Sequence, residues 1–326
     1  MRSTTSLQNI AATMTGVQST DTTNLALLLQ LINDSIRTIC TIRSGAWPWM
    51  ETLPTATTVA SQQYVYVPNK IRKLVDVYVT VGSTIYMPEA VYDANKWKLI
   101  LAANLGTGDV PLFYYRQGEK LLFAPTPAST GNTVTMRGRL NVRDLSIADY
   151  TTGSIVSITN GATAIVGTGT TFTADMVGRF IKITETTAAN GGDGFWYEIG
   201  SYTSATSIGL LKPYEGTTIA AGSAAYTIGQ MSPIPEAYDI APVYRAVAQY
   251  WDMKENMVLS SRYWKLYDGG HEAGLIAPNA EIGGIIGEML AEAADTVEGA
   301  YIPPFGSRMN FNQAPYYFPY NDASGF

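Results

Sequence analysis

Cysteine and histidine are almost missing from this sequence. Cys40 stands alone among 326 residues, which excludes an intrachain disulfide and a thiolate metal cluster. His271 is the single histidine, so multi-histidine zinc sites are excluded and few routes to imidazole catalysis remain. Charge is scarce too, 15 % of residues against about a quarter in ordinary globular proteins. No run reaches the roughly 18 consecutive apolar residues of a membrane span, and the opening Met1-Arg2-Ser3-Thr4-Thr5 has no apolar signal core. The expectation is a soluble product of a reducing cytoplasm with no membrane partner.

A surplus of base is likewise missing. The formal net charge is −6. From Gly270 onward there are seven acids (Glu272, Glu281, Glu288, Glu292, Asp295, Glu298 and Asp322) against one base, Arg308, so residues 1–269 sum to zero. Phosphate binding needs Lys and Arg, so a grip on nucleic acid is not expected.

What is present is β-forming texture, with 30 Gly, 21 Tyr and many Thr in a chain that is 46 % hydrophobic. Residues 1–21 are rich in Ser, Thr and Gln and read as an N-terminal arm. Cap-type residues at Asp21-Thr22-Thr23-Asn24 then open a helix to about Arg43. Its apolar stripe is Leu25, Leu28, Leu29, Ile32, Ile36, Ile39 and Cys40, and Gly45 stops it. Trp47-Pro48-Trp49 follows, two indoles around a proline, which we read as a structural anchor joining that helix to the next unit.

Residues 51–150 carry strand-like alternation, as in Val75, Val77, Val79 and Val81, and predict an antiparallel β domain of about six strands with a short turn or helix near Pro88–Trp97. Composition then shifts to Gly, Thr, Ser and Ala over 151–231. Short β runs at Ile155–Ile158, Ala164–Val166, Phe180–Ile183, Trp196–Ile199, Ile208–Leu211 and Ala225–Ile228 predict an inserted small β-sandwich or barrel. The stretch Asn190-Gly191-Gly192-Asp193-Gly194 reads as an exposed hairpin tip.

Residues 232–298 turn helical again. Ile240, Val243, Tyr244, Val247 and Trp251 form one stripe, and Val258, Leu259, Tyr263, Leu266 and Tyr267 a second, with polar Lys254-Glu255-Asn256 between them. A further acidic helix over 280–297 is weakened by Gly283, Gly284 and Gly287. The fold class is thus α+β: an N-terminal helix (22–50) and a C-terminal helical hairpin (232–298) form a helical bundle, with the β domain and its insert between. Residues 299–326 are an extended aromatic tail.

No constellation of these residues carries chemistry. His271 sits in a Gly-Gly-His-Glu turn without a nucleophile motif. Gly167-Thr168-Gly169-Thr170-Thr171 lacks the GK[ST] ending of a phosphate loop and reads as a β-turn. Asp76 and Asp93 have no partner at metal-ligand spacing. We expect no catalytic residue, no metal and no cofactor: not an enzyme.

The order of parts is distinctive. The helix ends in Trp47-Pro48-Trp49 and gives way to a strand pair spanning Gln62 to Leu74, in which Tyr64-Val65-Tyr66-Val67-Pro68-Asn69-Lys70 lies. Next comes Gly118-Glu119-Lys120-Leu121-Leu122-Phe123-Ala124-Pro125-Thr126-Pro127. Pro235-Glu236-Ala237-Tyr238 begins a helix, and Ser261-Arg262-Tyr263-Trp264-Lys265-Leu266-Tyr267 closes the helical pair. Over residues 24–267 this resembles the head-to-tail adaptor (connector, or tail-tubular) proteins of tailed bacteriophages. The segments Asn160-Gly161-Ala162-Thr163 and Phe172 to Arg179 resemble β modules of phage structural proteins. The resemblance implies a structural protein of the virion neck, a homo-oligomeric ring, usually twelvefold. Its partners would be the portal, a tail nozzle or tube protein and tail fibres, with genome DNA passing through unbound.

Beyond Gly270 the reading rests on physics. Tyr301, Phe305, Phe311, Tyr316, Tyr317, Phe318, Tyr320 and Phe326 lie among Pro303, Pro304, Pro315 and Pro319 without helix or strand period. Eight rings of about 200 Å² each yield at most about 40 kcal/mol at ~25 cal/mol/Å². Ordering this backbone costs about 1–2 kcal/mol per residue, much the same total. Such a tail orders only against a ready-made surface, so these rings are expected to dock on a partner. Glu281, Glu288, Glu292 and Asp295 share one helical face that, turned toward the lumen of a ring, would repel phosphate. Two other readings stand beside the adaptor: a tail nozzle or tail-tube subunit, or a β-rich glycan-binding module using Trp196, Tyr197 and Tyr202.

Overall fold

The apolar stripe of residues 25–40 does form a helix. In a computed structural model, which describes residues 1–42, 47–185, 191–220, 222–269 and 283–295, helix α2 (Thr22–Thr41) starts where Asp21 accepts a hydrogen bond from the Asn24 amide at 3.0 Å. Leu28, Ile32, Ile36, Ile39 and Cys40 are buried along it, with Leu25 and Leu29 packed at the margin.

The opening residues are not an arm. Helix α1 (Thr4–Thr15) is capped by the Ser3 hydroxyl and closed by Gly16 in the left-handed conformation. Only Leu7 among its buried residues is large, so the stripe was invisible to apolar periodicity. Its threonines are buried at no polar cost, because Thr15 donates to the Ala11 carbonyl at 2.8 Å and Thr4 to Gln230 at 3.2 Å.

α1 and α2 pack on α4 (Ala241–Met253), which turns through Lys254, Glu255 and Asn256 into α5 (Met257–Asp268), and α5 packs on α6 (Gly284–Asp295). One apolar core holds all of them, from Leu7 and Leu28 to Val243, Val247, Tyr267 and Met289. On α4 the expected stripe is inside, with Tyr244 and Trp251 at its edge.

On α5 the expected stripe needs correcting. Val258 is 82 % exposed and Leu266 is exposed, whereas Ser260 and Tyr267 are buried. The reason is polar: Ser260 donates to one carboxylate oxygen of Asp252 on α4, and the Trp264 indole donates to the other at 3.0 Å. The glycines before α6 also have a positive role. A Cβ on Gly269 would lie 2.9 Å from the Gly283 Cα, and one on Gly284, at φ +62°, 2.8 Å from the Leu266 and Tyr267 carbonyls. Only bare backbone allows α6 to start against the end of α5.

Residues 51–140 form two sheets, not one unit of six antiparallel strands. The first has the order β1-β9-β4-β5, with β2 also on β9; its strands are β1 (Glu51–Thr52), β2 (Thr55–Thr57), β4 (Ile71–Val81), β5 (Thr84–Tyr86) and β9 (Thr133–Leu140). The second runs β3 (Tyr64–Tyr66), β8 (Lys120–Ala124), β7 (Phe113–Gln117), β6 (Glu89–Val91). β6 and β7 are parallel because α3 (Ala94–Ala102) crosses between them. Strands of two or three residues are too short to show alternation, which is why they went unread. Val65, Val77, Val79, Leu121, Phe123 and Met136 share the core of this unit. Val75 is exposed because a register shift between Leu74 and Asp76 interrupts the alternation.

All six β runs expected in 151–231 are strands: β10 (Ser154–Ile158), β11 (Ala164–Thr168), β12 (Phe180–Ile183), β13 (Trp196–Ser204), β14 (Ser207–Leu210) and β15 (Tyr226–Gly229). They form one sheet ordered β10-β11-β14-β13-β12-β15 around a separate core including Ile155, Phe172, Ile181, Tyr197, Ile208 and Tyr226. Gly45 and Asn190 lie outside the described residues.

The Trp47 indole is buried in the helical core, donates to the Ile39 carbonyl at 2.8 Å and stacks on Trp49 at 4.7 Å. Trp47→Ala should cost about 3–5 kcal/mol in urea unfolding followed by helical circular dichroism. A loss below about 1 kcal/mol would mean that the indole pair does not hold the end of α2.

Candidate interaction site

Cys40 is buried on α2, and burial pushes its thiol up to about 12. It packs as a small apolar group. Among the described residues no three of His, Cys, Asp and Glu gather at metal-binding distance. Asp76 instead pairs with Arg137 at 2.5 Å across the β4–β9 ladder, and Asp93 caps α3 through the Asn95 amide. The Gly167–Thr171 stretch is not a turn throughout: Gly167 and Thr168 end strand β11, Gly169 bends the chain at φ +65°, and Thr170 is buried and donates to the Ala205 carbonyl at 2.9 Å. A cleft lined by Val67, Pro68, Asn69, Ile71, Arg116, Glu119 and Asn141 measures about 210 Å³, below the usual size of a small-molecule site. His271 lies outside the described residues.

The three aromatics considered for sugar binding do not make one platform. Tyr197 is 2 % exposed, tilted against Tyr214 at 5.3 Å and donating to Asp193, while Trp196 is half-buried beneath Lys182 and Tyr202 is exposed. Burial and the Asp193 hydrogen bond hold the Tyr197 phenol well above its ordinary range. Residues 191–193 are therefore half-buried around that contact, not a bare tip. Register shifts beside Ile199 and Tyr202 break the alternation that would align rings along β13.

Of the acids on α6, Glu288 and Glu292 are exposed, and Glu292 accepts a hydrogen bond from the Tyr238 hydroxyl. That hydrogen bond, then burial, pushes the phenol up to about 12. Asp295 ends the helix; its side chain, Glu281 and all eight tail rings from Tyr301 to Phe326 lie outside the described residues.

A joint between the helices and the insert went unseen in the sequence. The chain enters the insert through residues 144–150 and leaves through 228–231. The Gln230 side chain accepts from the Ser146 and Ile147 amides at 2.9 and 3.2 Å and donates to the Asp144 carbonyl at 2.6 Å. Ser3 bridges Met231 and donates to Asp149 at 2.5 Å, while Arg2 pairs with buried Asp239. Isolated polar residues scattered over 240 positions give no local signal of such a joint.

Large apolar groups stand exposed at several places. Ile85 lies on β5, the edge strand of the first sheet, and Leu99 and Leu112 lie on α3 and just before β7, beside the second. α3 buries Trp97, stacked on Tyr115 at 5.5 Å, and leaves Leu99 in the open. Met253, Met257 and Val258 stand exposed at the α4–α5 turn.

Residues 4–162 match the family described as SU10 adaptor protein. The matched stretch runs from α1 through both sheets of the first β unit and past β10. It bears out the resemblance to phage head-to-tail adaptors. No curated protein matches the chain. No described helix of this chain is long and apolar enough to cross a membrane.

Two measurements check the local chemistry. Because the Cys40 thiol stays protonated far above neutrality, iodoacetamide at pH 8 should label it only after denaturation; labelling of the native protein within minutes would contradict the burial. The Tyr238 phenol keeps its proton to higher pH than free tyrosine, so a difference titration against Tyr238→Phe should place it well above ~10. Glu292→Gln should bring it back down; an unchanged titration would show that the Tyr238–Glu292 bond does not form.

Proposed function

We propose that this adaptor forms a ring of roughly twelve copies that joins the portal to the tail and lines the genome passage. The observation that carries the proposal is the SU10 adaptor match over residues 4–162. The helical cluster, a bundle built from both ends of the chain, forms the ring wall. The first β unit (51–150) and the insert (151–231) face the outside or the tail. The bridges Ile155↔Ala224 and Ile158↔Ile219 support reading the insert as a small closed barrel. Trp47 and Trp49 anchor the wall to the first β unit. The protein has no chemistry of its own: it works by assembly in the virion neck, between the portal and a tail nozzle or tube protein, within reach of tail fibres.

The aromatic residues 301–326 act as docking arms between layers or copies, with prolines limiting their free entropy. Glu281, Glu288, Glu292 and Asp295 turn toward the lumen and keep DNA from sticking as it passes. Their neutralisation should slow genome ejection, and unchanged ejection kinetics would count against that role. Negative-stain microscopy of the purified chain mixed with portal tests the main proposal. It should show a symmetric ring added beneath the portal, and lose it when residues 301–326 are deleted. A chain that stays monomeric beside intact portals would refute it.

A further inference from the structure

Two connectors join the insert to the helices. Leu145 is buried in the helical core and Tyr150 packs on the core of the insert, so residues 146–149 cross the gap outward. Ile228 is buried in the insert and Ile234 in the helical core, so residues 229–233 cross it on the return. The connectors meet at the foot of the insert, where the Tyr150 and Ile228 amides each donate to the other's carbonyl at 2.8 Å. No residue belongs to both cores, so turning the insert at the connectors takes no residue out of either. Leu145 is fixed on the helix side, its amide and carbonyl both bonded to the Asn33 side chain at 2.8 and 2.9 Å. Beyond it Ser146, Ile147 and Ala148 are exposed and lie in no helix or strand.

A short piece of the N-terminal chain holds this crossing in place. Ser3 pairs with Met231 in an isolated antiparallel bridge, and the Thr4 amide donates to the Gln230 carbonyl at 3.1 Å. On the other connector the Asp149 amide donates to the Thr5 hydroxyl at 3.1 Å. Residues 3–5 thus bond both connectors at once and run on into α1. Gly229, the last residue of β15, gives them room: a Cβ there would stand 2.7 Å from the Ser3 Cβ. Gly229 does not have a left-handed φ, so the close approach of Ser3 is what asks for glycine here.

Two features make this contact easy to undo. Its links are hydrogen bonds of small polar groups, which water replaces on opening, so little net stability is lost with each. The closed contact also keeps a carboxylate oxygen dry. Asp149 accepts from the Ser3 hydroxyl at 2.5 Å through Oδ2, while its Oδ1 is buried without a hydrogen-bond partner in the protein. Burying a carboxylate oxygen away from any donor is costly, and opening returns it to water.

We propose that residues 3–5 are a releasable strap. Closed, the strap fixes the orientation of the insert on the helices; released, it lets the insert turn at residues 146–149 and 229–233. Such an opening is local and leaves both cores folded, with the connectors acting as hinges. The device belongs to a single copy and does not rest on the ring.

Amide hydrogen exchange on the full-length chain tests it. The Thr4, Ser146, Ile147 and Asp149 amides, all bonded at the joint, should exchange together and about 100-fold faster than the Ile219 amide of the insert and the Val247 amide of α4. Gly229→Ala wedges the strap away and should speed the joint amides about tenfold more, with Ile219 and Val247 unchanged. Ser3→Ala, which leaves β15 untouched, should act in the same direction. Asp149→Asn decides by its sign. It keeps an acceptor for Ser3 but removes the dry charge, so it should slow exchange at the joint. A fixed seam held by that carboxylate would exchange faster instead and overturn the proposal, as would joint amides protected as well as the two cores. Spin labels at Gln30→Cys and Thr203→Cys, both exposed, in a Cys40→Ala background report the turn. The parent chain should give one narrow distance and Gly229→Ala a second, broader population. A single unchanged distance beside fast exchange would show a strap that opens without moving the insert, and refute the turn.

Discussion

Residues near the beginning of the chain and residues near its end bury one another, and the rest of the structure hangs from that contact. Leu7, Leu28, Ile36 and Trp47 share a core with Ile234, Val243, Val247 and Met289. The stretches from about 51 to 139 and from 146 to 233 are two loops closed by this core, with Leu145 returning to it between them. Closing a loop of that length adds little more entropy cost than closing one half as long, since the cost grows only with the logarithm of length. The helices can therefore carry two β units between them, provided each unit buries its own apolar groups. Both do: the cores around Phe123 and around Phe172 contain no residue of the helical core.

Separate cores would leave the β units free to swing, and the two connections restrain them differently. The first unit is joined by apolar contact. Trp47 and Met50 are buried with the helices one step before β1 begins, and Arg139 of β9 donates to the Trp47 carbonyl at 3.4 Å. The insert is joined by polar contact, Gln230 gripping residues 144–147 and Ser3 gripping Asp149 and Met231. A polar joint of this kind is directional, so it sets orientation where an apolar contact sets mainly proximity. The N-terminal helix α1 is needed for that joint, because Ser3 is its cap and Thr5 accepts from the Asp149 amide at 3.1 Å.

Legibility in the sequence followed the size of the side chains involved. α2, α4 and the six strands of the insert were readable because large apolar residues repeat there at one period over several turns or between glycine-rich turns. α1 was missed because Thr, Ala and Ser fill its buried side, and burial of a threonine hydroxyl bonded to the preceding turn leaves no trace in an apolar pattern. On α5 the pattern held at Tyr263 and Tyr267 but failed at Val258 and Leu266, since the Asp252 carboxylate draws Ser260 and Trp264 inward and leaves Val258 outside. The parallel pair β6–β7 depends on α3, and three-residue strands carry no period by which a direction could be inferred. The absence of a chemical site pattern was a matter of residue counts, whereas the exposed edge at α3 is visible only once Trp97 is known to be the side that packs.

The same distinction explains why the exposed apolar groups on α5 and on α3 carry different weight. Val258 and Leu266 are outward because a polar clasp already satisfies the inner face of α5, which is held between α4 and α6. Their exposure is the remainder of a completed contact. α3 has no comparable clasp: its cap is the exposed Asp93, its ion pair from Lys96 to Glu89 of β6 is exposed, and beside the buried Trp97 indole only Ile100 packs on the small core there. A helix of that length with so small a core gains most from a second apolar cover. Low overall charge then matters, because few solvated side chains stand in the way of such a cover.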